Sequence, residues 1–195
     1  MSSTIKKLLV GGAEVVILVA LFGVYKLTFT QGGDVAPVVI VQPDPSNMTY
    51  QVGNQTFTLK NGKAEINSTP SSSSKNTLML FGEPVYGDLD KDGDTDAAVL
   101  LVNTTGGSGI FYYAALVINN GTAAKATNAM LLGDRIAPQT VEIHDGIALY
   151  NFVERKGTDP MTAQPSIGKS VWVYYDKPKN EIGELVKNFE GESAK

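Results

Sequence analysis

From Leu8 to Tyr25 the chain is apolar except for Glu14, with Lys6 and Lys7 before the run and Lys26 after it. These 18 residues would rise about 27 Å as a helix, close to the hydrocarbon thickness of a bilayer. The pattern predicts a transmembrane helix through residues 8–25, within an N-terminal membrane anchor at 1–30. The basic pair on its N-terminal side predicts a C-terminal domain outside the cytoplasm. A cleaved signal peptide is the competing reading. Its apolar core would be long, and the nearest small-residue step, Thr28-Phe29-Thr30, is a poor cleavage site.

Polarity rises at Gln31–Ser46, where Gly32, Gly33, Pro37, Pro43 and Pro45 disfavour helix and predict an extended linker at 31–46. Within it, Val38–Val41 suits an edge strand. The pattern of 47–195 alternates with a period of two between turn signals, the signature of an extracytoplasmic β domain. Around Asn61-Gly62 a type I′ turn would pair Lys60 with Lys63, Leu59 with Ala64 and Phe57 with Ile66, placing the four apolar residues on one face. Around Asp145-Gly146 the same turn would pair Ile143 with Ala148 and Val141 with Tyr150. Asn120-Gly121 would join Ile110–Ile118 to Thr122–Leu132. Ile110–Ile118 is apolar on both faces and suits a central strand. Further strands are expected at Thr77–Phe81, Ala97–Val102 and Val171–Tyr175, with a mobile polar loop at Asn67–Asn76. The expected fold class is all-β, an antiparallel sandwich or small barrel preceded by one transmembrane helix.

Composition narrows the function. The chain has 195 residues, no cysteine, 16 basic and 20 acidic groups, and net charge −4. Setting aside Lys6, Lys7, Lys26 and Glu14 leaves 13 basic and 19 acidic groups, so the rest of the chain carries −6. An acidic domain without clustered Lys and Arg lacks the footprint of a nucleic-acid binder. Without cysteine there is no disulfide, thiolate zinc site, iron–sulfur cluster, Cys nucleophile or bacterial lipoprotein-type lipid attachment.

The most specific motif is Asp88-Leu-Asp90-Lys-Asp92-Gly93-Asp94-Thr-Asp96. Carboxylates at positions 1, 3, 5 and 9, with a backbone carbonyl at 7, supply the hard oxygens that Ca2+ takes, and a glycine at 6 permits the sharp turn. Without a cation, the five carboxylates would repel one another, relieved only by Lys91. The expected metal residues are therefore Asp88, Asp90, Asp92, Asp94 and Asp96. Position 12 is Val99, and a strand follows where an EF-hand has a helix. The nine residues resemble the DxDxDGxxD loops of integrin-type and other extracellular β proteins. An Asp-rich turn capped by its own side chains is the plainer alternative.

A second resemblance covers about residues 77–176. Gly106-Gly-Ser-Gly-Ile-Phe-Tyr-Tyr113, Leu132-Gly-Asp-Arg-Ile136, Asp145-Gly146 and Asp159-Pro-Met161 look like a group of bacterial envelope proteins that includes LppP/LprE-type lipoproteins. That resemblance implies an envelope location and no particular reaction. Relatives often carry cysteines after the Asp-Pro step, where this chain has Met161-Thr162-Ala163. The N-terminal segment also resembles a type IV pilin, with a basic leader, Gly, then an apolar helix with an early Glu. It departs in placing Glu14 second or third after cleavage at Gly12 or Gly11, where pilins carry it fifth.

Catalytic signals are weak. Ser108 in Gly-Gly-Ser-Gly lacks the last glycine of a nucleophile elbow. His144, the one imidazole, falls beside a turn, which disfavours a Ser-His-Asp triad. Asp134-Arg135 and Glu154-Arg155 read first as structural ion pairs. Asn47, Asn54, Asn67, Asn103 and Asn120 each begin an Asn-x-Thr sequon, the mark of a surface protein in a glycosylating organism. The expected protein is a non-enzymatic, membrane-anchored, calcium-binding surface domain with a structural or binding role. Its expected partners are the membrane and a surface protein or glycan, with a pilin-like filament subunit as the alternative.

Overall fold

A computed structural model describes residues 7–10, 13–16, 42–68, 74–160 and 162–186. The chain divides into two compact units, Met1–Val38 and Val39–Lys195. In the first, β1 (Lys7–Val10) and β2 (Ala13–Val16) pair antiparallel from Lys7↔Val16 to Val10↔Ala13. Residues 8–10 and 13–16 of the expected transmembrane helix thus fall in strands, and 17–25 lie outside the described residues. The β-branched Val10, Val15 and Val16 favour strand in this stretch. No helix among the described residues is long and apolar enough to cross a membrane.

The second unit opens where the linker was expected to continue. Asp44 caps a 3-10 turn at Pro45–Asn47, and the buried Pro45 offers its carbonyl to the Tyr50 hydroxyl at 2.9 Å. Residues 42–46 therefore belong partly to the domain, because Pro43 and Pro45 bury apolar rings against it. The expected strand at Val38–Val41 lies outside the described residues.

Twelve strands follow: β3 (Thr49–Val52), β4 (Gln55–Thr58), β5 (Lys63–Asn67), β6 (Lys75–Gly87), β7 (Asp96–Thr104), β8 (Ile110–Asn119), β9 (Ala124–Ala126), β10 (Met130–Asp134), β11 (Ala137–His144), β12 (Ile147–Glu154), β13 (Ile167–Asp176) and β14 (Glu181–Glu184). The central sheet runs β10-β8-β7-β6-β5, with β9 also on β8. A second sheet runs β11-β12-β13-β14, and β3 and β4 form a separate pair. All named ladders are antiparallel. The all-β antiparallel expectation holds.

Alternation along β7 and β8 explains the layering. Ala98, Leu100, Ala114, Leu116 and Ile118 face a core shared with Ala148, Tyr150, Phe152, Val171 and Val173 of the second sheet. Their neighbours Ala97, Val99, Leu101, Ala115 and Val117 face Tyr50, Val52, Phe57 and Leu59 from the β3–β4 region. A sheet covered on both faces needs strands apolar on both faces, which is what Ile110–Ile118 announced. Tyr150 also crosses the sandwich. Its fully buried hydroxyl donates toward the carbonyls of Val99 and Ala115, each at 3.1 Å, so this polar group meets partners in the core.

Two of the three expected hairpins need correction. Asp145-Gly146 gives Ile143↔Ala148 and Val141↔Tyr150 as expected. At Asn61-Gly62 the turn forms, but pairing stops at Lys60↔Lys63; β4 pairs with β3 and β5 with β6. Phe57 and Ile66 are not partners, although both face the same core. The strand expected at Thr122–Leu132 is split into β9 and β10, which share one edge of β8 and lie on either side of Thr127–Ala129. The Asn67–Asn76 stretch is strand at Asn67 and at Lys75–Asn76, and 69–73 lie outside the described residues.

Candidate metal centre

The aspartate loop links the end of β6 to the start of β7. Leu89 is buried in the core between the two sheets, anchoring the loop by its one apolar side chain. Lys91 and Gly93 take positive φ, 62° and 91°, which turns the chain back toward Asp96. Asp88, Asp90 and Asp96 converge, each offering a carboxylate oxygen within 4.8 Å of the others.

Each of the three is held differently. Asp96 has no exposed surface; it accepts from the Asn119 amide at 2.8 Å through one oxygen and from the Leu89 amide at 2.7 Å through the other. Burial pushes its carboxyl above the ordinary range, opposed by the Asn119 and Leu89 amides, with the Asp90 charge adding to the rise. A carboxylate has about four lone-pair sites, so those two bonds leave it able to accept a metal. Asp88 accepts from the Gly93 amide at 3.1 Å, closing the turn.

Asp90 is the distinctive member. Its side chain is 4% exposed and pairs through Oδ2 with Lys177 at 2.9 Å, while Oδ1 is buried without a hydrogen-bond partner. An unsatisfied buried carboxylate oxygen is costly, and a cation in the cluster removes that cost. Lys177 lies in the turn between β13 and β14, 87 residues away in sequence, and no local signal could have named it. Asp90 raises the Lys177 ammonium's pKa above the usual lysine range by hydrogen bonding and charge.

The remaining two expected residues stand outside that cluster. The Asp92 carboxylate accepts from the Asp94 amide at 2.9 Å. The Asp94 carboxylate lies against Gly121, where a Cβ would come within 3.0 Å of Oδ2. Both shape the loop and its contact with the β8–β9 turn.

Other sequence candidates resolve into structural roles. Asp134 meets Arg135 at 3.1 Å and Arg155 at 4.0 Å, and Arg135 also donates to the Ser108 carbonyl, closing the Gly-Gly-Ser-Gly loop. Glu154 pairs with Lys169 at 3.5 Å. His144 stands opposite Ile147, with a half-exposed ring 3.0 Å from Glu142. Among the sequons, Asn103 is buried and donates to Asn76 and to the Thr77 carbonyl, whereas Asn54, Asn67 and Asn120 are exposed.

No family model matches the chain, and neither a curated protein nor a solved structure matches it.

Proposed function

We propose that this chain is a membrane-anchored, extracytoplasmic domain that binds calcium through the Asp88–Asp96 loop and serves a structural or binding role at the cell surface. The observation that carries the calcium reading is Asp90: a buried carboxylate oxygen with no hydrogen-bond partner, in a cluster with Asp88 and Asp96. Hard oxygens without nitrogen or sulfur favour Ca2+ over transition metals. Lys177 holds the same carboxylate from the solvent side, so calcium competes with its ammonium or shares Asp90 with it. The reading assigns no reaction. Its anchor rests on the Leu8–Tyr25 run behind Lys6 and Lys7. In a bilayer a two-stranded pair would leave edge groups unsatisfied, so a helix is the form that run would take there. The envelope resemblance over about 77–176 supports the same location.

The test is thermal unfolding of the full-length chain in EDTA and in millimolar calcium, with calorimetry alongside. Loops of extracellular modules bind with Kd of roughly 10⁻⁴–10⁻³ M. At about ten times Kd, linkage contributes about 1.4 kcal/mol, a shift of several degrees. Asp90→Asn should abolish the shift and magnesium should reproduce little of it. Equal melting in EDTA and calcium, with no heat of binding, would leave the loop a capped turn.

A further inference from the structure

A second candidate site contains none of the five aspartates. Along β6, Phe81 pairs with Leu100 and Val85 with Ala98, so Gly82, Glu83 and Pro84 bulge out opposite a single residue. Along β11, Pro138 pairs with Phe152 and Thr140 with Asn151, leaving Gln139 as an extra residue. These bulged segments line a cavity of about 160 Å³ between the two sheets. Further along, Gly87 comes so close to Ile143 that a Cβ there would sit 3.1 Å from its side chain, and the gap is closed.

The cavity's chemistry is two-sided. Its floor is Leu100, Leu132, Ile136, Tyr150 and Phe152, all buried members of the main core. Tyr150 cannot readily swing in to fill the space, because its hydroxyl is bound to two carbonyls of the central sheet. The mouth carries Glu83, Gln139, Thr140 and Asn151. Thr140 donates its hydroxyl to Glu142 at 2.8 Å, and Asn151 donates its amide to Thr140 at 2.8 Å and to Glu142 at 3.4 Å, so these two have their donors occupied. Pro138 has no N–H to offer. Glu83 is exposed and pairs with no cation among the described residues. Gln139 offers both a donor and an acceptor, and Glu83 carries the one formal charge among the lining residues, so the mouth is negatively charged above an apolar floor.

We propose that this cavity binds a small organic ammonium ion, with a ring or short branched chain in the apolar floor and the cationic head at Glu83. An apolar cavity of roughly 150 Å³ accommodates benzene, which sets the size of the body. The charge at the mouth sets the sign of the head, since an opposite charge at a low-dielectric opening is favoured and a like charge opposed. The site shares no residue with the aspartate loop.

The test uses benzylamine, benzyl alcohol and benzoate, which share a ring and differ in charge, titrated into the full-length chain and followed by calorimetry and by NMR of the Leu and Ile methyl groups. Benzylammonium should bind saturably in the millimolar range and at least about tenfold more tightly than benzoate, with benzyl alcohol between them. The affected methyl groups should be those of Leu100, Leu132 and Ile136. Glu83→Gln, a surface change, should reduce benzylammonium to the level of benzyl alcohol and leave the latter unchanged. Ile136→Phe should block all three by filling the floor. Absence of saturable benzylammonium binding, equal affinity for benzoate, or an unchanged preference in Glu83→Gln would each overturn the proposal.

Discussion

The turns at Asn61-Gly62 and Asp145-Gly146 have nearly the same backbone and lead to different structures. Their φ angles are 51° and 81° in the first and 51° and 82° in the second. After the second turn, β11 and β12 remain paired from His144↔Ile147 out to Ala137↔Val153. After the first, the strands part at once. The Gly62 amide donates to Ser46 and the Leu80 amide to the Gly62 carbonyl, both at 2.8 Å, so the turn is claimed by the linker end and by β6. β4 then joins the layer above the central sheet, and β5 becomes an edge of that sheet. A two-residue turn fixes a local reversal; competition among strands for edges decides how far the pairing runs.

The largest expected effect separates the two strands that flank the first turn. Phe57 is fully buried, and Phe57→Ala should cost about 3–5 kcal/mol in urea unfolding. Ile66 is only half-buried at the sheet edge, and Ile66→Ala should cost clearly less. Equal costs would mean that the two residues are equivalent members of one hairpin.

Next come the turn glycines. Gly62→Val and Gly146→Val force a β-branched residue into positive φ and should each cost roughly 1–3 kcal/mol. A Cβ at Gly62 has ordinary room, 3.7 Å from Leu80, whereas one at Gly146 meets Lys91 at 3.0 Å and the Leu89 carbonyl at 3.4 Å. Gly146→Val should therefore be the worse of the pair, and asparagine at either site should be milder than valine. The unfolding midpoints of the four variants check the order.

That neighbourhood sharpens the comparison further. The second turn touches the aspartate loop at Lys91 and Leu89, whereas a Cβ on Gly62 would meet Leu80. Under the proposed calcium binding, a stabilisation of about 1.4 kcal/mol at ten times Kd should persist in Gly62→Val and change measurably in Gly146→Val. Calorimetric Kd values for both variants would show it. An identical calcium response would disconnect the loop from the second turn.

The smallest effect concerns the linker end that holds the first turn. Asp44 accepts from Ser46, and Asn47 in turn accepts from the Asn61 amide at 3.0 Å. Hydrogen bonds from the Ser46 and Asn47 side chains hold the Asp44 carboxyl below the usual carboxylate range. A lowered folded value means that its contribution is present above the unfolded value, near pH 4, and is lost as pH falls through the folded one. Asp44→Ala should cost about 0.5 kcal/mol at neutral pH, the low end for a lost cap, and less in acid. Hydrogen exchange should quicken at Asn61 and Gly62 and not at Asp145 and Gly146.

Much of the domain is legible in the sequence alone. Period-two alternation around Asn61-Gly62 and Asp145-Gly146 gave the turn type and the buried face, because both depend on residues a few positions apart, whereas at Asn120-Gly121 the pairing Asn119↔Ala124 leaves a four-residue loop. The doubly apolar Ile110–Ile118 announced a strand covered on both sides, and the motif marked an acidic loop of five aspartates, of which only Asp88, Asp90 and Asp96 converge. Other features were settled only by tertiary structure. Phe57, Leu59, Ala64 and Ile66 reach the same core whether β4 pairs with β5 or not, so alternation could not distinguish the two arrangements. Lys177 meets Asp90 only because the β13–β14 turn comes down beside the loop. The cavity exists because bulges on β6 and β11, distant in sequence, line the same gap between the two sheets. Local chemistry determined turns, faces and the acidic loop; strand partners, the counter-ion and the cavity depended on contacts between segments whose separation in the chain carries no pattern.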